Sequence, residues 1–395
     1  MKILFIEIFY KGHHISLYAK KLIEKFIKKN QVYFLTSTKA SQSEEFNSIK
    51  NLNKKIQIKI IETKDHIQNK NNISLFFYHL WNLCIVYRSA INLIKKKKID
   101  LVYFNHFDPY IFIFSIFFFL NFNLKVYGLL LNIKFHQYYF KFRKKNFLDE
   151  IKFYLFKCFI KKNYVKKIFI IDPLFINFLN FKNIRSKKIV HINEAVYKNI
   201  NFIKKKSNKK KKILIYGEIS KRKNFEFLID FLVNSKLINN IKLVIAGKFD
   251  LESKKIITSK KYSKIIKEKR LIIKDYFINL REETNLFTNT DLVWLCYVGG
   301  SDGSSGVLQT AIDNIKPVIY YNRGLINKIC QSHDLGFKIS YNYNEPEQLN
   351  KLLLSKNLDQ RIQHIKKNIK KYKKNIKEEL IFEDKIYKEI TKDIQ

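Results

Sequence analysis

Short apolar runs alternate along this chain with amphipathic helical stretches, and the alternation starts over once. Lys2–Phe9, Gln31–Thr36, Ile56–Glu62, Ile99–Asn105, Leu124–Leu130 and Lys167–Ile171 read as strands. Between them Ile15–Lys29 carries Leu22, Ile23, Phe26 and Ile27 on one side, and Ser74–Ile94 is a longer helical segment. A second series follows: strands at Ile213–Tyr216, Leu243–Ala246, Leu271–Lys274, Leu292–Cys296 and Pro317–Tyr320, and helices at Asn224–Asn234, Asn279–Asn289 and Ser305–Asn314. This is the βαβ rhythm of an α/β fold with a doubly wound parallel sheet, written twice.

The two series meet at Asn199–Lys212, NINFIKKKSNKKKK. A run of like charges repels itself and stays solvated, so it reads as a linker in preference to a nuclear-localisation or polyanion patch. The expected organisation is a Rossmann-like domain over 1–198, a basic linker over 199–212, a second Rossmann-like domain over 213–360, and C-terminal helices over 361–395 packing back towards the first domain. Ile362, Ile365, Ile369, Ile376 and Leu380 recur at helical spacing as anchors of that tail. Two such domains would face each other across a cleft. Open α/β sheets bind ligands at the carboxyl ends of their strands, and closure over the cleft would exclude water.

Composition agrees with two cores and removes other classes. The 395 residues are 46% hydrophobic and 15% aromatic, too apolar for a disordered chain. With 10 Gly and 4 Pro the chain is no repeat fibre. Its 76 Lys+Arg against 34 Asp+Glu give a net charge of +42, and only 8 of the basic residues are Arg. Nucleic-acid readers enrich Arg for bidentate contacts, so no nucleic-acid partner is expected. Lys rises here together with Ile, Asn, Phe and Tyr, as AT-rich coding would produce. Such a surface is nonetheless attracted to anionic membranes and to phosphate-bearing ligands.

The four cysteines Cys84, Cys158, Cys296 and Cys330 form no CxxC pair and read as reduced, buried thiols of a cytoplasmic protein. The start, MKILFIEIFYKGHH, lacks the features of a signal peptide and reads as a first strand. Tyr110–Leu120 is the most apolar stretch, but Asn121, Asn123 and Lys125 end it well short of the ~20 apolar residues a spanning helix needs. It reads as a buried helix or a membrane-grazing one, and no transmembrane helix is expected.

Four segments carry candidate chemistry. Gly12, with His13 and His14, ends the first strand, where a glycine lets backbone approach a ligand; a plain turn is the alternative, and the absence of GxGxxG argues against a dinucleotide cofactor. His106 in Asn105-His106-Phe107-Asp108-Pro109 stands just past a strand end, at the functional edge of the sheet, or else is a structural histidine. In ILIYGEISKRKNFEFL, Arg222 and Lys223 follow Gly217 and precede a helix, so helix dipole and two cations would suit a diphosphate. In VGGSDGSSGVLQTAIDNIKPVI, Ser304 or Ser305 can cap the next helix, whose free amides would accept a phosphate, and Asp302 can accept hydrogen bonds from sugar hydroxyls.

These segments resemble the retaining glycosyltransferases of the GT-B fold, the group 1 or family-four-like enzymes. YGEISKRKN is similar to the family's strand–Gly–basic-pair element, and DGSSGVLQTAIDNIKPVI to its acidic-x7-acidic loop and helix, with the Gly324 region after it. Gly12-His13-His14 fits the family's first loop, and the run from Asp100 to His106 its strand leading to an active-site histidine. The resemblance implies that Arg222 and Lys223 neutralise the donor diphosphate, aided by Gly12, Gly217 and the backbone of Ser305, Gly306 and Val307. It implies that Asp302 holds the donor sugar and, with His106, serves catalysis. Thr310 occupies the second acidic position, whose usual partner is the ribose; Ile315 replaces a usual glycine, and Glu218 stands where many members carry arginine.

The implied function is transfer of a sugar from a UDP- or GDP-sugar to a glycan or lipid-linked acceptor in cell-surface polysaccharide biosynthesis. The donor is a substrate, and no bound cofactor or metal is implied. No DxD motif occurs, so the two cations would supply the electrostatics that a metal supplies elsewhere. Acceptor activation falls to His106 or to the donor's own phosphate. The implied location is the cytoplasm or the inner face of the cytoplasmic membrane. Three rivals stand: a degenerate scaffold, which Thr310 and Glu218 keep open; a nucleotide-sugar hydrolase or epimerase using Asp302 or Glu7; and a polyanion binder.

Overall fold

The computed structural model describes residues 1–9, 14–52, 56–64, 72–117, 123–131, 133–141, 144–193, 195, 210–235, 241–298, 305–378 and 381–394. It separates into two compact units, Met1–Ala195 with Leu380–Gln395, and Val196–Glu379.

The first unit runs β1 (Lys2–Glu7), a π-helical turn (His14–Ala19), α1 (Lys20–Phe26), β2 (Gln31–Ser37), α2 (Thr38–Ser41), α3 (Glu44–Lys50), β3 (Ile56–Ile61), α4 (Asn72–Lys97), β4 (Leu101–Phe104), α5 (Ile111–Ile116), β5 (Lys125–Leu130), α6 (Phe147–Lys161), β6 (Val165–Ile170), α7 (Pro173–Phe181) and β7 (Ile189–His191). Among the described residues its strands form one sheet of order β3-β2-β1-β4-β5-β6-β7, and every pairing is parallel. Helices cover both faces, so central strands are apolar throughout; β4 is buried at all its positions.

The second unit runs β8 (Lys211–Tyr216), α8 (Phe225–Asn234), β9 (Ile241–Ala246), α9 (Leu251–Ile257), α10 (Ser263–Lys267), β10 (Leu271–Lys274), α11 (Leu280–Thr288), β11 (Leu292–Leu295), α12 (Gly306–Asp313), β12 (Val318–Tyr321), α13 (Gly324–His333), β13 (Gly336–Ile339), α14 (Glu345–Leu353) and α15 (Leu358–Glu378). Its parallel sheet has the order β10-β9-β8-β11-β12-β13. In each sheet the order reverses once, between β1 and β4 and between β8 and β11. Loops leave those strand pairs in opposite directions, which opens a crevice at their carboxyl ends.

Several expectations need adjustment. The expected helix Ile15–Lys29 is divided into the π-turn and α1, and Cys84 is exposed and Cys158 half-buried, with only Cys296 and Cys330 fully inside. The stretch expected as one tail over 361–395 parts company. Ile362, Ile365 and Ile369 of α15 enter the core of the second unit, while α16 (Phe382–Lys392) belongs to the first. There Phe382, Ile386 and Ile390 are buried, Tyr387 packs on Phe26 at 4.9 Å, and Glu389 meets Lys167 at 2.6 Å. The expected linker 199–212 lies outside the described residues up to 209, and Lys211 already begins β8. Tyr110, Ile111, Ile113 and Phe114 are buried. Among the described residues no helix is long and apolar enough to cross a membrane.

A half-buried cation, Lys316, serves the second unit's packing. Lys316 donates to the carbonyls of Thr288 and Thr290 at 2.9 and 2.8 Å, and burial pulls its pKa down to about 8. Its folded pKa lies below the unfolded one, so the unfolded chain binds more protons between them and stability rises with pH across that interval. Melting of the parent should therefore show an alkaline gain beginning near pH 8, relative to Lys316→Met, in which that increment is absent. Equal pH profiles for the two proteins would contradict this.

Candidate active site

In the second unit the crevice is built from the two turns that leave β8 and β11. Gly217 ends β8 with φ 96°, a conformation few L-residues adopt, and Gly247 stands so close that a Cβ there would lie 1.9 Å from the Gly217 carbonyl oxygen. The chain then makes a short 3-10 turn, Lys221–Lys223, and enters α8 through Asn224 in the left-handed region. The Asn224 amide donates to the Tyr321 hydroxyl at 2.8 Å, and that hydroxyl donates to Glu345 at 2.8 Å. The basic turn is thereby fixed to the neighbouring strand end.

Lys223 is 2% exposed. Its Nζ donates to the Tyr216 carbonyl at 2.8 Å and to the Tyr297 hydroxyl at 2.9 Å, and Trp294 Nε1 holds its carbonyl at 3.1 Å. Burial pushes its pKa below the usual lysine value; the Tyr297 oxygen opposes that shift, and Arg222 adds to it. A buried ammonium held by two neutral oxygens is electrostatically incomplete, because neutral acceptors do not repay the desolvation of a charge. An anion entering the crevice would complete it.

Tyr297 organises the rest. Its ring lies 5.0 Å from the Arg222 guanidinium carbon and 4.5 Å from Lys223 Nζ, and its hydroxyl is 3.4 Å from Ser305 Oγ. The Val298 amide donates to the Arg222 carbonyl at 2.9 Å, tying the two turns together. Ser305 caps α12 by accepting from the Leu308 amide at 3.3 Å. The amides of Gly306 and Val307 open that helix and by geometry have no intrahelical acceptor. Two cations and a helix start thus converge on one ring.

One turn further along α12, buried Thr310 donates to Glu283 Oε1 of α11 at 3.2 Å and lies 3.0 Å from the Gly306 carbonyl. A carboxylate therefore stands beside Thr310 even though position 310 itself carries none. Glu218 is exposed, and Ile315 takes φ 54°, in the left-handed region that favours the glycine it replaces.

The first unit presents a second polar group at its own reversal. Buried Glu7, at the end of β1, accepts from the Phe9 amide at 2.9 Å and from Asn105 Nδ2 at 2.8 Å. The next residue, His106, has Nε2 3.3 Å from Asp108 Oδ2 and packs against the Phe9 ring at 4.7 Å. Asp108 is itself fixed by the Leu131 amide at 2.9 Å. The imidazole is thus aimed by a carboxylate that the backbone holds in place, an arrangement suited to moving a proton.

Gly217, Arg222, Lys223, Ser305, Gly306, Val307 and Thr310 gather in the second unit, and His106 stands in the first. Gly12 and Asp302 lie outside the described residues. Tyr297 and Glu283 were not singled out from sequence. Tyr297 stands two residues past β11, the partner of β8 at the reversal, and that position was the available signal. Glu283 carried none. Among the described residues no group of three or more His, Cys, Asp or Glu is placed to hold a metal ion.

Residues 196–378 match the family model described as glycosyl transferases group 1. No curated protein sequence matches the chain. Solved structures that share its fold include the following three. HepE of Anabaena, in complex with UDP and glucose, has a TM-score of 0.66 at 14% identity, covering 100% of this chain and 99% of that one. WaaG, a glycosyltransferase involved in lipopolysaccharide biosynthesis, gives 0.65 at 12%, covering 98% of each. Sucrose-phosphate synthase from Thermosynechococcus elongatus gives 0.62 at 12%, covering 95% and 98%. The fold is GT-B, and the expected enzyme class, a glycosyltransferase, agrees with the family matched over the second unit.

Proposed function

We propose that this chain, whose second unit is a group 1 glycosyltransferase domain in a GT-B fold, moves a sugar from a nucleoside-diphosphate donor to a glycan or lipid-linked acceptor. The observation that carries the reading is Lys223: a buried ammonium with neutral partners, beside Arg222 and the start of α12. As the sugar leaves, negative charge grows on the departing diphosphate. Two preorganised cations and the amides of Gly306 and Val307 meet that charge without reorganising, which is where most of the rate would be gained. Gly217 lets the chain pass close to the phosphates, and Asp302 holds the donor sugar. Transfer proceeds with retention and draws its electrostatics from protein cations. His106, oriented by Asp108, handles the acceptor proton or orients the acceptor.

The UDP found in HepE supports a uridine donor, and the lipopolysaccharide role of WaaG supports a cell-surface glycan as product. A lipid-linked acceptor would bring the chain to the inner face of the cytoplasmic membrane. Calorimetry over a panel of UDP- and GDP-sugars, followed by product analysis with and without acceptor, tests the reading. Failure of every nucleotide sugar to bind would end it, and release of free sugar alone would make the chain a hydrolase.

Glu283 is assigned to the ribose. Its carboxylate, shared with Thr310, supplies the acidic group that position 310 lacks. Glu283→Gln should weaken binding of UDP about tenfold, the cost of one charge-assisted hydrogen bond, while inorganic pyrophosphate binds unchanged. Equal losses for both ligands in calorimetry would refute the assignment.

A further inference from the structure

Helix α6 is apolar on both sides. Phe153, Phe156 and Phe159 are buried against the sheet, while Phe147, Leu148, Ile151 and Tyr154 point outward, with Phe147 77% and Tyr154 62% exposed. A surface helix ordinarily turns a polar face to solvent, whereas the outward side of α6 sets these four large apolar residues among its charged ones. The end of α7 adjoins this face: Glu150 of α6 accepts from the Tyr138 hydroxyl at 3.3 Å and is held below its usual pKa by Lys145 and in part by Lys182, and buried rings link the two helices beneath. Phe153 packs on Phe178 at 5.1 Å, Phe178 approaches Tyr139 at 5.9 Å, and Tyr139 lies on Phe181 at 4.3 Å, with Phe181 56% exposed.

Lysines border these rings. Lys157 lies 5.9 Å from the Tyr154 ring and Lys182 5.7 Å from the Phe181 ring; Lys144, Lys145 and Lys152 are exposed beside the start of the helix. Of the acidic residues of α6, Glu150 pairs with Lys145 at 2.7 Å, and Asp149 is buried in the capping box. The face therefore combines exposed rings with a positive margin.

We propose that this face, the outer side of α6 with the end of α7, docks on an anionic lipid bilayer. The inference rests on the membrane-borne acceptor proposed above and names the surface that would reach it. Rings of this kind settle at the level of the lipid headgroups, and lysine stems lie along apolar surface while their ammonium groups seek lipid phosphates. Protein interfaces, by contrast, are depleted of lysine. At 15 residues α6 is too short to span a bilayer and would lie in its plane.

Flotation of the full chain with phosphatidylcholine vesicles, with and without phosphatidylglycerol and at low and high salt, tests this. The parent should float only with the anionic vesicles, and less in high salt. The triple variant Phe147→Ser/Ile151→Ser/Tyr154→Ser should lose at least about tenfold in partitioning. Lys152→Gln/Lys182→Gln should lose roughly fivefold per lysine and show a flatter salt dependence. UDP binding by calorimetry, retained in both variants, would show that they are folded. The proposal fails if the triple variant floats like the parent, or if the parent binds neutral and anionic vesicles alike. It fails too if the triple variant only converts a dimeric parent to monomers, which would make the face a contact between copies. A parent that floats through this face yet binds no nucleotide sugar overturns the enzyme reading alone. A parent that glycosylates a soluble acceptor and never floats overturns the docking face alone.

Discussion

Lys223→Met should lower kcat/KM for sugar transfer by about 10³-fold while leaving the protein at least as stable as the parent. The first half follows from charge. In the proposed reaction the buried ammonium meets the leaving diphosphate, and removing one such preorganised donor typically costs about 10²–10³ in rate, a charged one reaching the top of that range. The second half follows from burial. Lys223 is 2% exposed, and its hydrogen bonds go to two neutral oxygens, the Tyr216 carbonyl and the Tyr297 hydroxyl, with Glu218 adding a weaker attraction. An apolar side chain of similar length removes the desolvation penalty. The Tyr297 hydroxyl keeps Ser305 Oγ within 3.4 Å as a substitute partner. The sign with pH is also set. The folded pKa lies below the unfolded one, so the parent gains stability as pH rises through the folded value, and the variant does not. Steady-state kinetics with thermal melts across pH would check both halves. A variant that melts well below the parent, or that transfers sugar at the parental rate, would show that Lys223 is a structural cation.

His106→Asn should lower kcat by about 10²-fold, within the usual range for loss of a positioned acid or base, and leave donor affinity unchanged. The side chain stands in the first unit, just past β4, whereas Arg222, Lys223 and the start of α12, the groups proposed to meet the diphosphate, belong to the second. Asp108→Asn should give a smaller loss and shift the pH profile of kcat, because it removes the carboxylate beside the imidazole without removing the imidazole. Calorimetric donor affinity that falls together with kcat in His106→Asn would move the residue from acceptor chemistry to donor binding.

How far the sequence could be read depends on the range over which each feature is encoded. Strands such as Leu101–Phe104 and Leu292–Leu295 announce themselves locally, because a central parallel strand covered on both faces is apolar throughout. Ile189–His191 and Gly336–Ile339 were missed. Both are short edge strands, and the first is only half-buried along its length, so neither needs a conspicuous apolar run. In the candidate site, Arg222, Lys223 and Ser305 were legible because glycine, basic pair and cap lie within a few residues of one another. Tyr297 and Glu283 were not, since their meaning comes from partners far along the chain: Lys223 for one and Thr310 for the other. The division of the tail at Glu379 was equally hidden. Ile362 and Ile386 obey the same helical spacing, and nothing in that spacing says which core each will enter.

That division has a consequence for how the protein is made. Domains generally fold as units while the ribosome delivers the chain from its N-terminus. The second unit has all its described strands once Ile339 has emerged, whereas the first waits for Phe382, Ile386 and Ile390, which arrive after the whole second unit. Until then Phe26 and Lys167 lack Tyr387 and Glu389, although they were synthesised long before. Completion of the first unit thus reports that the whole of the second has been translated, and a nascent chain cut short there would retain an open apolar seam for chaperones and proteases to recognise.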